Sequence, residues 1–445
     1  MGKIPTMFCL RHLLVLSLAL NMSLVLRIVY ESEQGSKLFW LKNKIGTTKA
    51  DEVYKKETHI SQKVLLSVSN SSTHEDNQEG VERIINLDHG DPTMYESFWR
   101  QMGDKTTITI LGWQSLSYFS DITNICWFLE PEFAKEVVRL HKVVGNAVTE
   151  GRHIVVGTGS SQLFLAALYA LSPQDAIKPI SVVSAAPYYS AYPLMTDYQK
   201  SGLYKWAGDT QSFHKDEPYI EIVTSPNNPD GYARYPVVNR SEGVLVHDLA
   251  YYWPQYTPIS SPADHELMLF TVSKSTGHAG TRIGWALVKD KVVAKRMTKF
   301  IELNTIGVSK DSQLRAARVL KVVSDSCEIE SSFEVGESFF NFSHRVMVER
   351  WKQLREAVQH SGMFSLPSFS HAFCTFSGQM SGLQPAFAWL KCEQGIEDCQ
   401  SFLSRHKILT RAGKHFGFGS DYVRISMTDR DEIFKLFINR LKAIR

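Results

Sequence analysis

The sequence predicts an α/β protein whose core is a mostly parallel sheet wrapped by helices. The first observation behind this is a series of short apolar or β-branched runs: HIVVG (153–157), PISVVSA (179–185), YIEIVTS (219–225), VLVHD (244–248), LMLFTVS (267–273) and IGWALV (283–288). They are continuously apolar and do not alternate, the pattern of strands buried on both faces. The second is that helix-like stretches, such as SSQLFLAALYALS after the first run, lie between several of them. The third is size: 445 residues, 43% hydrophobic and 21% charged, suffice for a substantial core, with one large domain and a smaller one expected.

Taken in order, the chain opens on LLVLSLALNMSLVL (13–26), preceded by Lys3 and Arg11 and followed by Arg27. Extended to Tyr30 this run nearly reaches spanning length, and no small-x-small cleavage pattern follows directly, so residues 1–30 are expected to be a cytosolic tip and an uncleaved signal anchor. A polar stalk, 31–80, comes next. The charge pattern slightly favours a catalytic part in the lumen of the endoplasmic reticulum, attached to its membrane by this single pass. Formal net charge is only +3 and no long basic block is present, so nucleic acid is not an expected partner. Beyond the stalk, 113–324 reads as the large domain, and 81–112 with 325–445 as the smaller α+β one.

In parallel sheets the ligand lies outside the carboxyl ends of the strands, and there the unusual residues collect. The first run leads into GTGSSQ (157–162), whose free amides at a helix start suit a phosphate. Next come APYYSAY (186–192), SPNNPDG (225–231), HDLAYYWP (247–254) and TVSKSTGHAGTRIGWALV (271–288). Singly, each has an ordinary explanation: a strand-to-helix turn, rim packing, a surface turn, a helix cap. Together they describe one ligand. Lys274 can form a Schiff base with an aldehyde, Asp248 can keep a pyridine nitrogen protonated, and Asn228 and Tyr251 can hydrogen-bond a phenolate. Ser160, Ser161, Ser273 and Arg282 can gather a phosphate while an aromatic from PYY covers the ring, and Gln162 is counted with the cofactor-binding residues.

That order of motifs matches pyridoxal-phosphate enzymes of the aspartate aminotransferase type. More narrowly, INLDHGDPTMYESFW, GWQSLSYFSD, CWFLEPE, VVGTGSSQL, TSPNNPDG, HDLAYYWPQYTPI, SKSTGHAGTRIGWALV and NTIGVSKDSQLR resemble the plant tryptophan aminotransferase-related and alliinase family over nearly the whole length after residue 80. The leader and stalk resemble its membrane-anchored, auxin-biosynthetic branch. The resemblance implies a fold-type I pyridoxal-phosphate-dependent transferase with pyridoxal 5'-phosphate as cofactor. It also implies transfer of the amino group of L-tryptophan to pyruvate or another 2-oxo acid, and a homodimer with shared sites. By matching positions, Tyr189 stacks on the pyridine ring, Arg424 in YVRISM grips the substrate carboxylate, and Tyr95 reaches the phosphate of a neighbouring subunit. One departure bears on the alternative: the cysteine-rich module of alliinases would precede the catalytic part, yet residues 10–125 contain no cysteine.

Two other readings are kept. A carbon–sulfur lyase of alliinase type would share every residue named above. A catalytically inactive pyridoxal-fold binding protein would be expected to lose at least one of Lys274, Asp248, Tyr251, Arg282 and Arg424. Of the six cysteines, Cys392 and Cys399 either bridge a small loop or stay free thiols. The sequons at Asn70, Asn239 and Asn341 matter only in a secretory lumen. His278 reads as a packing residue, and no His, Cys and carboxylate grouping has metal-site spacing.

Overall fold

All six apolar runs fold as strands of a single seven-stranded sheet. The computed structural model describes residues 83–175, 177–328 and 337–445; the N-terminal run, the stalk and Asn70 lie outside the described residues. In chain order the strands are β1 (His153–Gly157), β2 (Ile180–Ser184), β3 (Tyr204–Asp209), β4 (Tyr219–Thr224), β5 (Gly243–Asp248), β6 (Leu267–Thr271) and β7 (Gly284–Val288). Across the sheet their order is β1-β7-β6-β5-β4-β2-β3. Strand β7 runs antiparallel to both neighbours, and every other pairing is parallel.

The strands buried from end to end, β2, β4, β6 and β7, are mostly apolar or β-branched, and the buried Glu221 of β4 accepts from Val237 N and Val238 N. Strand β3, YKWAGD, was not expected. It lies at the sheet edge and is mostly only partly buried, so its sequence carries no continuous apolar run.

Helix α1 (Gly159–Leu171) begins directly after β1 and buries Leu163, Phe164, Ala166, Ala167 and Leu168. Helix α2 (Ala191–Tyr198) follows β2, and the single turn α3 (Val272–Ser275) follows β6. Among the described residues no helix is long and apolar enough to cross a membrane.

A buried polar chain fixes the loop after β5. Trp285 Nε1 donates to His141 Nε2 at 3.0 Å, so the ring proton sits on Nδ1 and is donated to Asn146 Oδ1 at 2.8 Å. Asn146 Nδ2 in turn donates to the Tyr252 carbonyl at 2.7 Å. Burial pushes the His141 imidazole down to about 4, which keeps it neutral and the chain intact near neutral pH.

A second sheet is antiparallel and is assembled from the C-terminal part: β8 (Phe364–Ser365), β9 (Phe387–Cys392), β10 (Arg411–Ala412) and β11 (Tyr422–Ser426), in the order β10-β11-β9-β8. The short strand Ile85–Asn86 pairs in parallel with Ile408–Leu409, which ties residues 87–91 to this part of the fold. Cys392 and Cys399 form a disulfide with a Cα–Cα distance of 5.5 Å, closing the loop from β9 into the helix Cys399–Arg405.

Candidate active site

The carboxyl ends of β4, β5 and β6, the start of α1 and the loop before Pro92 surround one cavity of about 310 Å3. Of the residues expected from sequence, Ser160, Ser161, Tyr189, Asn228, Asp248, Tyr251, Lys274 and Arg424 line it.

Lys274 reaches it because the chain turns sharply after β6. The Thr271 hydroxyl caps the turn by accepting from Ser273 N at 3.2 Å, and Lys274 Nζ then donates to the Gly90 carbonyl at 2.6 Å. A Cβ on Gly90 would stand 2.9 Å from Phe387 Cζ and 3.4 Å from Nζ, so a side chain here would displace the lysine or the ring. Loss of water lowers the Lys274 ammonium from 10.5 to about 8, with the nearby Arg424 guanidinium acting in the same direction.

Asp248 closes β5. Its Oδ2 accepts from the Tyr192 hydroxyl at 2.7 Å and its Oδ1 from Ala250 N at 3.1 Å. Burial raises its pKa against the effect of those two donors. Tyr251, one turn further on, has its ring centroid 5.8 Å from Lys274 Nζ.

At the start of α1, Gly159 has φ +73, and a Cβ there would lie 2.5 Å from Arg282 Nη2. Glycine is therefore required twice, by the backbone and by the guanidinium beside it. Arg282 itself sits in the left-handed region at φ 56 and donates from Nη1 to Ala279 O at 3.0 Å. Arg282 thus stands next to the α1 amides with Ser160 and Ser161, an anion cradle in form.

Arg424 is 2% exposed and lies on β11. Its Nη1 donates to Asn228 Oδ1 at 3.2 Å and its Nη2 to the Asp88 carbonyl at 2.6 Å, while Nε has no partner. The guanidinium carbon is 4.1 Å from the Phe387 centroid and 5.3 Å from that of Phe416, a cation between two rings. Burial lowers its pKa to about 10, so it stays charged. Asn228 is held in place by its neighbour, since Asn227 Nδ2 donates to the Pro187 carbonyl at 2.8 Å and to Asp230 Oδ1 at 2.9 Å.

Four expected residues lie off the cavity wall. Arg282 lies behind Gly159. Ser273 is buried, its hydroxyl bonded to Thr271 Oγ1 at 3.1 Å. The Gln162 side chain turns inward, accepting from Thr158 N at 2.8 Å and donating to Asn304 Oδ1 at 3.0 Å, so it braces the turn. The fourth, Tyr95, packs in the core of the described chain. It is 1% exposed within its own chain, its hydroxyl 2.7 Å from that of Tyr256 and its ring 5.2 Å from Phe339. His278 packs as expected, 4.4 Å from Trp99 with Nδ1 3.0 Å from Thr276 Oγ1.

Sequence reasoning missed His89, Gly90, Thr224, Phe387 and Arg411 on the wall and Tyr192 behind Asp248. Gly90 lay inside a quoted motif and Tyr192 inside APYYSAY, but no spacing separated them from their neighbours.

The sheet order, the lysine turn and the buried aspartate define a fold-type I pyridoxal-phosphate aminotransferase architecture. Solved structures agree: an aminotransferase from Mycobacterium tuberculosis superposes with a TM-score of 0.60 at 17% identity, covering 86% of this chain and 95% of that one. A Thermus thermophilus aspartate aminotransferase mutant does so with a TM-score of 0.56 at 17% identity, covering 81% and 92%. The family model Alliinase_C, described as "Allinase", matches residues 85–445, and the chain belongs to that family. It is 58% identical to Tryptophan aminotransferase-related protein 2 of Arabidopsis thaliana over 445 residues, 100% of this chain and 99% of the relative. It is 34% identical to an alliin lyase of Allium cepa var. aggregatum over 365 residues, 80% of each chain.

Proposed function

We propose that the protein is an L-tryptophan aminotransferase that passes the amino group to pyruvate or another 2-oxo acid and yields indole-3-pyruvate, a step of auxin biosynthesis. The observation that carries this reading is the convergence of a buried lysine, a buried carboxylate and a buried arginine on one cavity, in a chain whose full-length relative is named a tryptophan aminotransferase-related protein.

The residues present fit pyridoxal 5'-phosphate. Gly159 leaves room for Arg282 beside the α1 amides, Arg424 Nε is a buried donor without a partner, and Lys274 carries an easily deprotonated amine. Ser160, Ser161 and Arg282 would hold the phosphate, Asn228 and Tyr251 the ring hydroxyl, Asp248 the ring nitrogen, and Tyr189 the ring face. When bound, the cofactor supplies an aldehyde that condenses with amines and a ring that takes up the electron pair of the broken Cα–H bond. Lys274 Nζ, as a free neutral amine, would accept the α-proton of the bound substrate and hold it for return. Asp248, whose carboxylate accepts from the Tyr192 hydroxyl and Ala250 N, would pair with the ring nitrogen and favour its protonated form. Arg424 orients the substrate through its carboxylate, the planar group that a guanidinium fork matches.

A second reading, β-elimination from S-alkylcysteine sulfoxides, is favoured by the alliin lyase relatives. It uses the same lysine and aspartate. The N-terminal run is proposed to anchor the enzyme in the endoplasmic reticulum membrane. A second copy is proposed to cover the exposed apolar stretch 111–122.

The decisive experiment takes the protein from carbonate-washed plant membranes and supplies L-tryptophan with pyruvate, then S-methylcysteine sulfoxide alone. Indole-3-pyruvate and alanine from the first, with no pyruvate and ammonia from the second, is the expected outcome. The reverse product pattern establishes the lyase, and recovery of the protein only in the carbonate wash removes the anchor.

A further inference from the structure

Tyr192 has no part in the chemistry above, yet it joins three pieces of the site. It is 1% exposed, and its hydroxyl donates to Asp248 Oδ2 at 2.7 Å. With that proton committed, the phenol oxygen accepts from Thr224 Oγ1, also at 2.7 Å. The ring is clamped as well: it stacks on Phe164 of α1 at 5.0 Å and 22°, and meets Tyr189 edge-on at 5.3 Å.

We infer that Tyr192 is a positioning residue that holds the Asp248 carboxylate in place as an anion facing the cavity. The inference rests on the reading of Asp248 as the partner of a pyridine nitrogen.

The physical reason is that a carboxylate removed from water takes up a proton unless donors oppose it. Asp248 has two such donors, the Ala250 amide and the Tyr192 phenol, and the amide bond is the longer of the two at 3.1 Å. The phenol cannot lose its own proton, because burial and the adjacent Asp248 hold it well above 10, so it remains a donor across the working pH range. Charge-assisted bonds of this kind are the stronger class. Thr224 completes the chain from its place on the cavity wall. A tyrosine that only filled space would need neither hydroxyl contact.

The test measures equilibrium binding of two probes, pyridoxal 5'-phosphate and its 1-deaza analogue, in which carbon replaces the ring nitrogen, to wild type, Tyr192→Phe and Thr224→Val. Wild type should prefer the natural cofactor. Tyr192→Phe should lose about tenfold in affinity for it while binding the analogue within about twofold of wild type, the size expected for one hydrogen bond to a charged group. Thr224→Val, which leaves the ring packing intact, should move the preference the same way by about threefold. Analogue binding also reports that each variant is folded. An equal loss for both probes makes Tyr192 a packing residue and overturns the inference, as does an unchanged preference in both variants. A wild type that binds both probes alike overturns instead the role given to Asp248.

Discussion

Lys274 shows how much one residue owes to its surroundings. An exposed lysine is protonated until about pH 10.5, but here loss of water and the neighbouring Arg424 bring the value to about 8. The neutral amine is the nucleophile, so the rate at which the apoprotein captures pyridoxal 5'-phosphate should rise with pH and level off above about 8. The sign follows from the shift: a folded-state value below the unfolded one means that the charged amine disfavours the folded apoprotein, a cost present below about pH 8 and relieved toward 10.5. Stopped-flow absorbance at the visible edge checks the capture rate. A rate still climbing tenfold per unit at pH 9.5 would show an amine with an ordinary value, and capture by Lys274→Ala that borohydride can fix would show another lysine at work. Lys274 itself was readable from sequence, because a lysine at the end of an apolar run, followed by glycines and an arginine, is unusual. Gly90 was not readable, since only the folded chain brings its carbonyl 2.6 Å from Nζ across 184 residues.

At the scale of elements, the start of α1 does the most for the least sequence. Gly159 accepts a left-handed backbone and lets Arg282 approach the helix amides, two demands that an alanine cannot meet together. Gly159→Ala should cost about 1–2 kcal/mol in backbone strain and shift the guanidinium outward. Affinity for pyridoxal 5'-phosphate should fall at least tenfold, whereas affinity for pyridoxal, which lacks the phosphate, should change less than twofold, as measured by equilibrium dialysis. Equal losses for the two would mean that this turn does not hold the phosphate. Strand β3 teaches the complementary lesson: at a sheet edge one side of the strand keeps contact with water, so its residues need not be apolar, and YKWAGD left no pattern to find.

At the scale of the molecule, the described surface carries an exposed apolar stretch with Leu111, Trp113, Leu116, Tyr118, Phe119 and Ile122, of which Leu116 is 82% and Ile122 78% exposed. So many large apolar side chains in a dozen residues are rare on a surface left in water. If a second copy covers them, Leu116→Asp with Ile122→Asp should turn a dimer into a monomer in light scattering after size exclusion, with the cofactor absorbance reduced because the site loses its neighbour. A wild-type monomer would remove the proposed contact, and a dimer that survives both charges would place it elsewhere. Tyr95, expected from the resemblance to reach the phosphate of a neighbouring subunit, is buried within its own chain in the described structure. Nothing in a motif says whether a tyrosine ring turns inward; the hydroxyl of Tyr256 and the ring of Phe339 decide it.

The sequence by itself determined the buried strands, because burial on both faces favours mostly apolar, non-alternating runs, and it determined the lysine, the aspartate and the asparagine turn, because each sits where a run ends. It did not determine which side chains from distant segments complete the wall. His89 and Gly90 come from the segment tied down by Ile85–Asn86, while Phe387, Arg411 and Arg424 come from the second sheet. Their meeting with Lys274 is a matter of long-range strand pairing and packing, which leaves no local period in the chain. The bridge between Cys392 and Cys399 belongs to the same class: seven residues of separation allow it, and the backbone that brings the two Cα atoms to 5.5 Å makes it.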